Sequence, residues 1–336
     1  MSLIMVPLKC GKRLKEAVTG SLKVVPQLSN VQTVKLTSIL VTNYMENNYV
    51  IDHNQYFLGR DKNGKSHYIN EVQEIVLPII LEIDRICRKN SIPYALGFGS
   101  ALGLYNYQGF IPWDDDADIV FNYEDLDRLI EALKKDLLPE YVFDCYEVDN
   151  RYNILQPTIK IKNRNGPTMQ DYNYKRMKDR IHSSDGFFVD LVALVDVPNL
   201  KTLKKHINKS RRRLISYFIK DYFFNRDPLK LKNKMKDEEK KLAIAYKGSS
   251  YVTQTMVLPF PSPKRNLFPK EMIYPFKEYE FNGYKLYSFN DLEGFVRLFF
   301  GNKSLKRFDG DKWVDDFPMN KRKALHIKSF EFDDTK

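Results

Sequence analysis

Four aspartates fall within five residues, Asp114, Asp115, Asp116 and Asp118, and the chain then runs into the apolar, β-prone segment Ile119-Val120-Phe121. On an extended strand alternate side chains share a face, so Asp116 and Asp118 point the same way. Asp114 joins them if the strand begins early enough, and Asp115 faces the other side. Two carboxylates held together on a half-buried strand repel and raise at least one pKa unless a cation sits between them. Oxygen-only ligands suit a hard divalent ion: Mg²⁺ first, with Mn²⁺ as the alternative, since Mg²⁺ keeps some waters and takes up substrate phosphates. That is the chemistry of phosphate transfer. The competing reading is an acidic turn solvated at a strand entry.

The stretch just upstream, Gly97-Phe98-Gly99-Ser100-Ala101-Leu102-Gly103, supplies what such a site lacks. Its glycines let the backbone approach a ligand, and Ser100 is suited to open a helix whose N-terminus favours an anion. A solvated acidic turn does not need these residues. A Gly-Ser turn followed by an Asp-x-Asp strand resembles the DNA polymerase β-like nucleotidyltransferase superfamily. The fuller string Gly99-Ser100, Leu102-Gly103, Gly109-Phe110-Ile111-Pro112-Trp113 and Asp114 to Asp118 resembles its LicD branch in order and spacing. The resemblance extends over about residues 70–305, strongest at 94–121 and moderate at 186–195.

A third carboxylate, Asp190, stands alone in the apolar run Phe187-Phe188-Val189-Asp190-Leu191-Val192. A buried aspartate is costly unless it is paired or bound to a metal. It is either a third acid of the site or a cap on a neighbouring loop. Lys160, Lys162 and Arg164 alternate along another strand, where they either reach substrate phosphates or form a solvated face. The resemblance gives Asp116, Asp118 and Asp190 as metal ligands and catalytic residues, Asp190 completing the ion cage or taking the acceptor's proton. It gives Gly99, Ser100, Lys160 and Lys162 as substrate contacts. The chain departs from the LicD pattern at Asn106, where an Arg is common after the second glycine, leaving Lys160 or Lys162 to substitute.

The elements that must position these residues are legible on both sides of them. Val72, Val76, Ile79, Ile80, Ile83 and Cys87 recur at three- and four-residue steps and predict a helix over 69–89, capped by Asn70 and kinked at Pro78. Strands are expected at 94–98, 119–121, 141–148, 154–162, near 167–172 and at 186–195, with a helix over 124–138. The expected fold is α+β: a nucleotidyltransferase-like mixed β-sheet flanked by helices. The division is an N-terminal extension at 1–69, with a turn-rich hairpin tip at Leu58–Lys65, a LicD-like domain at 70–305, and a C-terminal tail at 306–336. A basic helical insertion occupies about 198–247.

The charge of the chain lies in that insertion. Residues 198–247 hold 16 Lys and Arg against 5 Asp and Glu, a net of +11 that equals the balance of all 336 residues. Two helical segments are expected there, broken around Asp227-Pro228. Their basic face is a solvated surface, a surface for an anionic membrane or lipid-linked glycan, or a nucleic-acid contact. The last is disfavoured because the aromatic residues fall in the apolar stripe. No apolar run reaches the length of a membrane span, and Cys10, Cys87 and Cys145 lack ligand spacing, which together suggest a reduced, cytoplasmic setting. Peripheral attachment at the inner face of the membrane is compatible with this.

The resemblance implies transfer of a phospho-alcohol group, for example phosphocholine from CDP-choline, onto a hydroxyl of a cell-surface glycan, with release of CMP. The donor would be a nucleotide-activated alcohol and the acceptor a glycan, lipid-linked in some settings. The alternatives are a nucleotidyltransferase acting on a small molecule, protein or RNA, and an inactive nucleotide-binding module.

Overall fold

The computed structural model describes residues 57–60, 63–149, 158–163, 187–224, 229–258, 260, 262–302, 307–309 and 312–314. Most of the extension at 1–69, most of the tail at 306–336 and the strand expected near 167–172 therefore lie outside the described residues. The chain forms two compact units, Met1–Asp52 with Arg307–Val314 and His53–Lys306 with Asp315–Lys336.

The second unit opens with the antiparallel pair β1 (Phe57–Arg60) and β2 (Ser66–Tyr68), then helix α1 (Ile69–Lys89). The helix occupies the span its apolar spacing predicts and runs through Pro78. Its first turn is closed by Glu71, whose side chain accepts the Tyr68 N–H at 2.9 Å, and not by Asn70. The 3.6-residue period drives Ile79, Ile80, Ile83 and Ile86 fully out of water. Each such burial stabilises by about 1.5–3 kcal/mol.

Next come β3 (Tyr94–Leu96), α2 (Phe98–Tyr107), β4 (Ala117–Asn122), α3 (Leu126–Asp136), β5 (Tyr141–Asp144), β6 (Thr158–Asn163) and β7 (Phe188–Val197). They form a mixed sheet in the order β3-β4-β7-β6-β5. β4 and β7 are parallel, with Asp118 beside Asp190, and the other pairs are antiparallel. One face of these strands carries Ile119, Phe121, Val189, Leu191, Ile159 and Ile161, all buried. The other carries Asp118, Asp190, Lys160 and Asp144 in a single row set by the register. The fold is α+β, a mixed sheet flanked by helices, and α1 packs against α3, β6 and β7.

The expected strand at 94–98 stops two residues early because Phe98 already belongs to α2, and the one at 141–148 ends at Asp144. The basic segment at 198–247 forms two helices, α4 (Leu200–Phe224) and α5 (Leu229–Tyr246). Lys209 Nζ lies 2.7 Å from Glu238, which Arg213 also contacts. Leu214, Tyr217, Leu231, Met235 and Val257 form the core beneath them.

The chain returns through β8 (Tyr251–Thr253), which adds to β7, and β9 (Phe268–Pro269), followed by α6 (Lys270–Ile273). The hairpin β10 (Lys277–Phe281) and β11 (Tyr284–Ser288) turns at Asn282-Gly283, both at positive φ, as two-residue hairpin loops require. Helix α7 (Leu292–Phe299) follows. In the first unit, β12 (Arg307–Asp309) and β13 (Lys312–Val314) pair antiparallel.

Candidate active site

The aspartate motif is held from three directions. Gln73 of α1 donates from Nε2 to the carbonyls of Ile111 (2.9 Å) and Asp114 (3.0 Å), fixing the turn that precedes β4. Gly103 lies so close to this loop that a Cβ would sit 2.5 Å from the Gly109 carbonyl. From the far side, the Asn282 N–H of the β10–β11 turn donates to the Gln108 carbonyl at 2.8 Å, and Phe281 packs edge-on against Phe110 at 5.1 Å.

Asp118 is fixed by the β3–α2 turn. The N–H of Gly99 donates to its Oδ2 at 3.0 Å, while its own N–H donates to Ser100 Oγ at 2.8 Å. Its carbonyl accepts the Gly97 N–H at 3.0 Å. The helix begins at Phe98 with Gly97 as the capping residue, so Ser100 is not its N-cap. The left-handed conformation falls on Phe98, φ 38°, and not on either flanking glycine. Such a conformation costs a non-glycine residue about 1–3 kcal/mol and persists only where the surroundings enforce it. Here Phe98 is locked among Phe268, Phe295 and Phe299, with centroids 5.3–6.5 Å away.

Asp116, Asp118 and Asp190 each offer an oxygen within 4.8 Å of the other two. Asp114, Asp115 and Asp116 form a second such group, and Asp115 is fully buried. Burial first, then the charges of Asp116, Asp115 and Asp118, push the Asp114 carboxyl well above the ordinary carboxylate range, and it shares a hydrogen bond with Asp116. Lys160 Nζ is 2.8 Å from Asp190 Oδ1, and 3.3 Å from the Phe188 ring centroid. This contact is an ion pair without hydrogen-bond alignment: among the described residues, buried Asp190 Oδ1 accepts no hydrogen bond.

These observations fit a divalent cation. The donors are all hard oxygens, and the like charges converge beyond what one lysine neutralises. A Cβ on Gly99 would stand 3.1 Å from Asp114 Oδ2 and 3.2 Å from Asp118 Oδ2, so the glycine leaves the approach to the carboxylates open.

The residues singled out from the sequence take the following places. Asp116, Asp118 and Asp190 come together, and Gly99 and Ser100 lie against Asp118. Lys160 touches the group through Asp190. Lys162, two residues further along β6, is buried in an ion pair with Asp144 of β5 at 3.0 Å. Arg164 lies outside the described residues. Two contributors escape a sequence reading: Gln73 behind the loop and Phe98 in the turn. Asp114, which the sequence places with the others if the strand begins early, shares a hydrogen bond with Asp116, whereas Gln73 is one of many polar residues on a helix.

Residues 91–235 match the family model described as LicD/FKTN/FKRP, nucleotidyltransferase domain. Over these residues, somewhat under half of its length, the chain is similar to the LicD family. It is similar to the lipopolysaccharide cholinephosphotransferase LicD of Haemophilus influenzae, 28% identical over 95 residues, 23% of this chain and 36% of that protein. An uncharacterised protein of Rickettsia prowazekii is 31% identical over 114 residues, 33% of this chain and 41% of that one. A further uncharacterised relative, from Rickettsia typhi, is 30% identical over 95 residues, 28% of this chain and 29% of that protein. The chain thus spans well under half the length of each of these relatives. The LicD match contains the motif loop, β4 and β7, and with them every carboxylate of the site.

Proposed function

We propose that the chain is a metal-dependent phosphotransferase that moves a phospho-alcohol group, such as phosphocholine from CDP-choline, onto a hydroxyl of a cell-surface glycan. The observation that carries this reading is the convergence of Asp116, Asp118 and Asp190 within 4.8 Å beside the Gly99–Ser100 turn. The LicD family and the similarity to a lipopolysaccharide cholinephosphotransferase support it.

In this reading Asp116, Asp118 and Asp190 hold Mg²⁺ or Mn²⁺. Bound there, the ion would supply neutralisation of the donor's pyrophosphate. The acceptor oxygen forms a bond to the phosphorus that bears the alcohol, the bond from that phosphorus to the bridging oxygen breaks, and CMP leaves with it. The acceptor's proton passes to Asp190 or to solvent. The Gly99–Ser100 turn orients the donor, and Lys160, beside Asp190, is better placed than Lys162 to reach a phosphate oxygen. Holding acceptor oxygen, phosphorus and leaving oxygen in line supplies much of the acceleration. The setting is cytoplasmic, with a glycan acceptor that is lipid-linked at the membrane's inner face.

A second reading, transfer of a nucleotide from an NTP, is favoured by the family description as a nucleotidyltransferase domain. Incubating the protein with Mg²⁺, a glycan acceptor and a panel of CDP-alcohols and NTPs separates the two. Release of CMP with labelled glycan supports phosphotransfer. Release of pyrophosphate from an NTP supports nucleotidyl transfer, and binding of nucleotide without turnover indicates an inactive module.

A further inference from the structure

The α4–α5 pair presents two stripes of the same pattern to solvent. On α4, Lys201, Lys205, Asn208, Arg212 and Ile215 succeed one another at steps of four, three, four and three, which keeps them on one helical face. On α5, Lys230, Lys234, Asp237, Lys241 and Ile244 repeat that spacing with the same order of residue types. All ten are exposed. His206 meets Tyr246, and Lys209 and Arg213 meet Glu238, so the helices run antiparallel and the isoleucines mark opposite ends of the face. The opposite faces of the same helices are apolar and buried.

Six cations and one carboxylate on such a face are complementary to a partner of high negative charge density. The isoleucines select which one. Ile215 is 53% exposed and Ile244 is 70% exposed, although both helices already have a core to bury apolar groups in. Aliphatic side chains among lysines gain nothing from stacking on bases, whereas in a bilayer interface they leave water. We propose that this face docks on an anionic lipid bilayer, the lysines and Arg212 lying at the phosphate level and Ile215 and Ile244 entering beneath it.

Each such cation contributes about a fivefold gain in membrane affinity. The test is flotation of the full chain with vesicles of phosphatidylcholine alone or mixed with phosphatidylglycerol, at low and at high salt, with duplex DNA and single-stranded RNA as competing probes. The expected result is binding to the anionic vesicles only, weakened by salt. A Lys205→Glu, Lys241→Glu variant should lose at least about 25-fold. The Ile215→Ser, Ile244→Ser variant should lose at least about fivefold with its charge and melting temperature unchanged. Equal binding to neutral vesicles, undiminished binding of the isoleucine variant, or preference for the nucleic-acid probes would overturn the proposal. Release of CMP from the donor with a soluble acceptor does not depend on this face, so loss of vesicle binding and failure of the proposed reaction are read separately.

Discussion

β4 and β7 carry polar residues at both ends of the same face, and the two ends treat them in opposite ways. At the far end Asp196 accepts from Lys270 Nζ at 2.7 Å and from the Gly248 N–H at 2.6 Å, and Asn122 accepts from Tyr274 Oη at 2.5 Å. These groups border a hollow of about 310 Å³, yet their hydrogen-bonding capacity is largely spent inside the protein. At the near end Asp118 accepts the Gly99 N–H and Asp190 faces Lys160, yet Asp116, Asp118 and Asp190 converge within 4.8 Å, and among the described residues the buried Asp190 Oδ1 has an ion-pair partner without a hydrogen bond. Asp196 has donors alone around it, whereas Asp118 and Asp190 have a donor each and other carboxylates within reach.

Substitutions at the two ends should therefore fail differently. Asp118→Asn is expected to cost at least about 10³-fold in turnover, the several kcal/mol that a lost metal ligand represents. Its metal-free melting temperature should hold or rise, because a like charge is gone; nucleotide release and thermal melting check both. Gly99→Ala leaves every charge in place but pushes Asp114 and Asp118 by a few tenths of an ångström. A loss of about 10–100-fold in kcat with little change in stability is expected. Asp196→Ala should show the reverse pattern: the unmatched Lys270 and Gly248 N–H cost about 1–3 kcal/mol in denaturant unfolding, while turnover per folded molecule stays near that of the parent.

Glu239 of α5 sharpens the comparison from outside the sheet. It is buried, and desolvation raises its pKa to about 6 even though Thr255 Oγ1 donates to it at 2.6 Å. The folded state thus holds a proton more tightly than the unfolded chain, whose carboxyl titrates near 4.5. The resulting stabilisation is complete below about pH 4.5, declines as pH rises through about 6, and is absent above that. Glu239→Gln should remove that slope, worth about 2 kcal/mol, from unfolding curves measured between pH 4 and 7.5.

Much of this arrangement is legible in the sequence. The period of Val72 to Cys87 placed α1, and the Asp-x-Asp spacing with the lone Asp190 named acids that the parallel register of β4 and β7 then sets side by side. The same was true of the two basic helices, where charge and apolar period agreed. What stayed hidden depends on tertiary contacts. The sequence Gly97-Phe98-Gly99 invites a left-handed glycine, yet the aromatic cluster around Phe98 shifts that conformation onto the phenylalanine. Ser100 looks like a helix cap, but β3 and β4 pair so closely that its hydroxyl meets the Asp118 N–H instead. Lys160 and Lys162 look alike along one strand, and only the neighbouring strands give one to Asp190 and the other to Asp144. The hold of Gln73 on the motif loop spans 41 residues to Asp114 and leaves no local trace.

The central claim, that the converged aspartates grip a divalent cation, is tested most directly by titrating the full chain with Mn²⁺ and counting free ion by electron paramagnetic resonance, with and without a CDP-alcohol. Saturable binding that tightens with the nucleotide and is lost in Asp118→Asn, with Asp196→Ala unchanged, is the expected result. Binding by Asp118→Asn equal to that of the parent, or none by the parent in the presence of nucleotide, would contradict it.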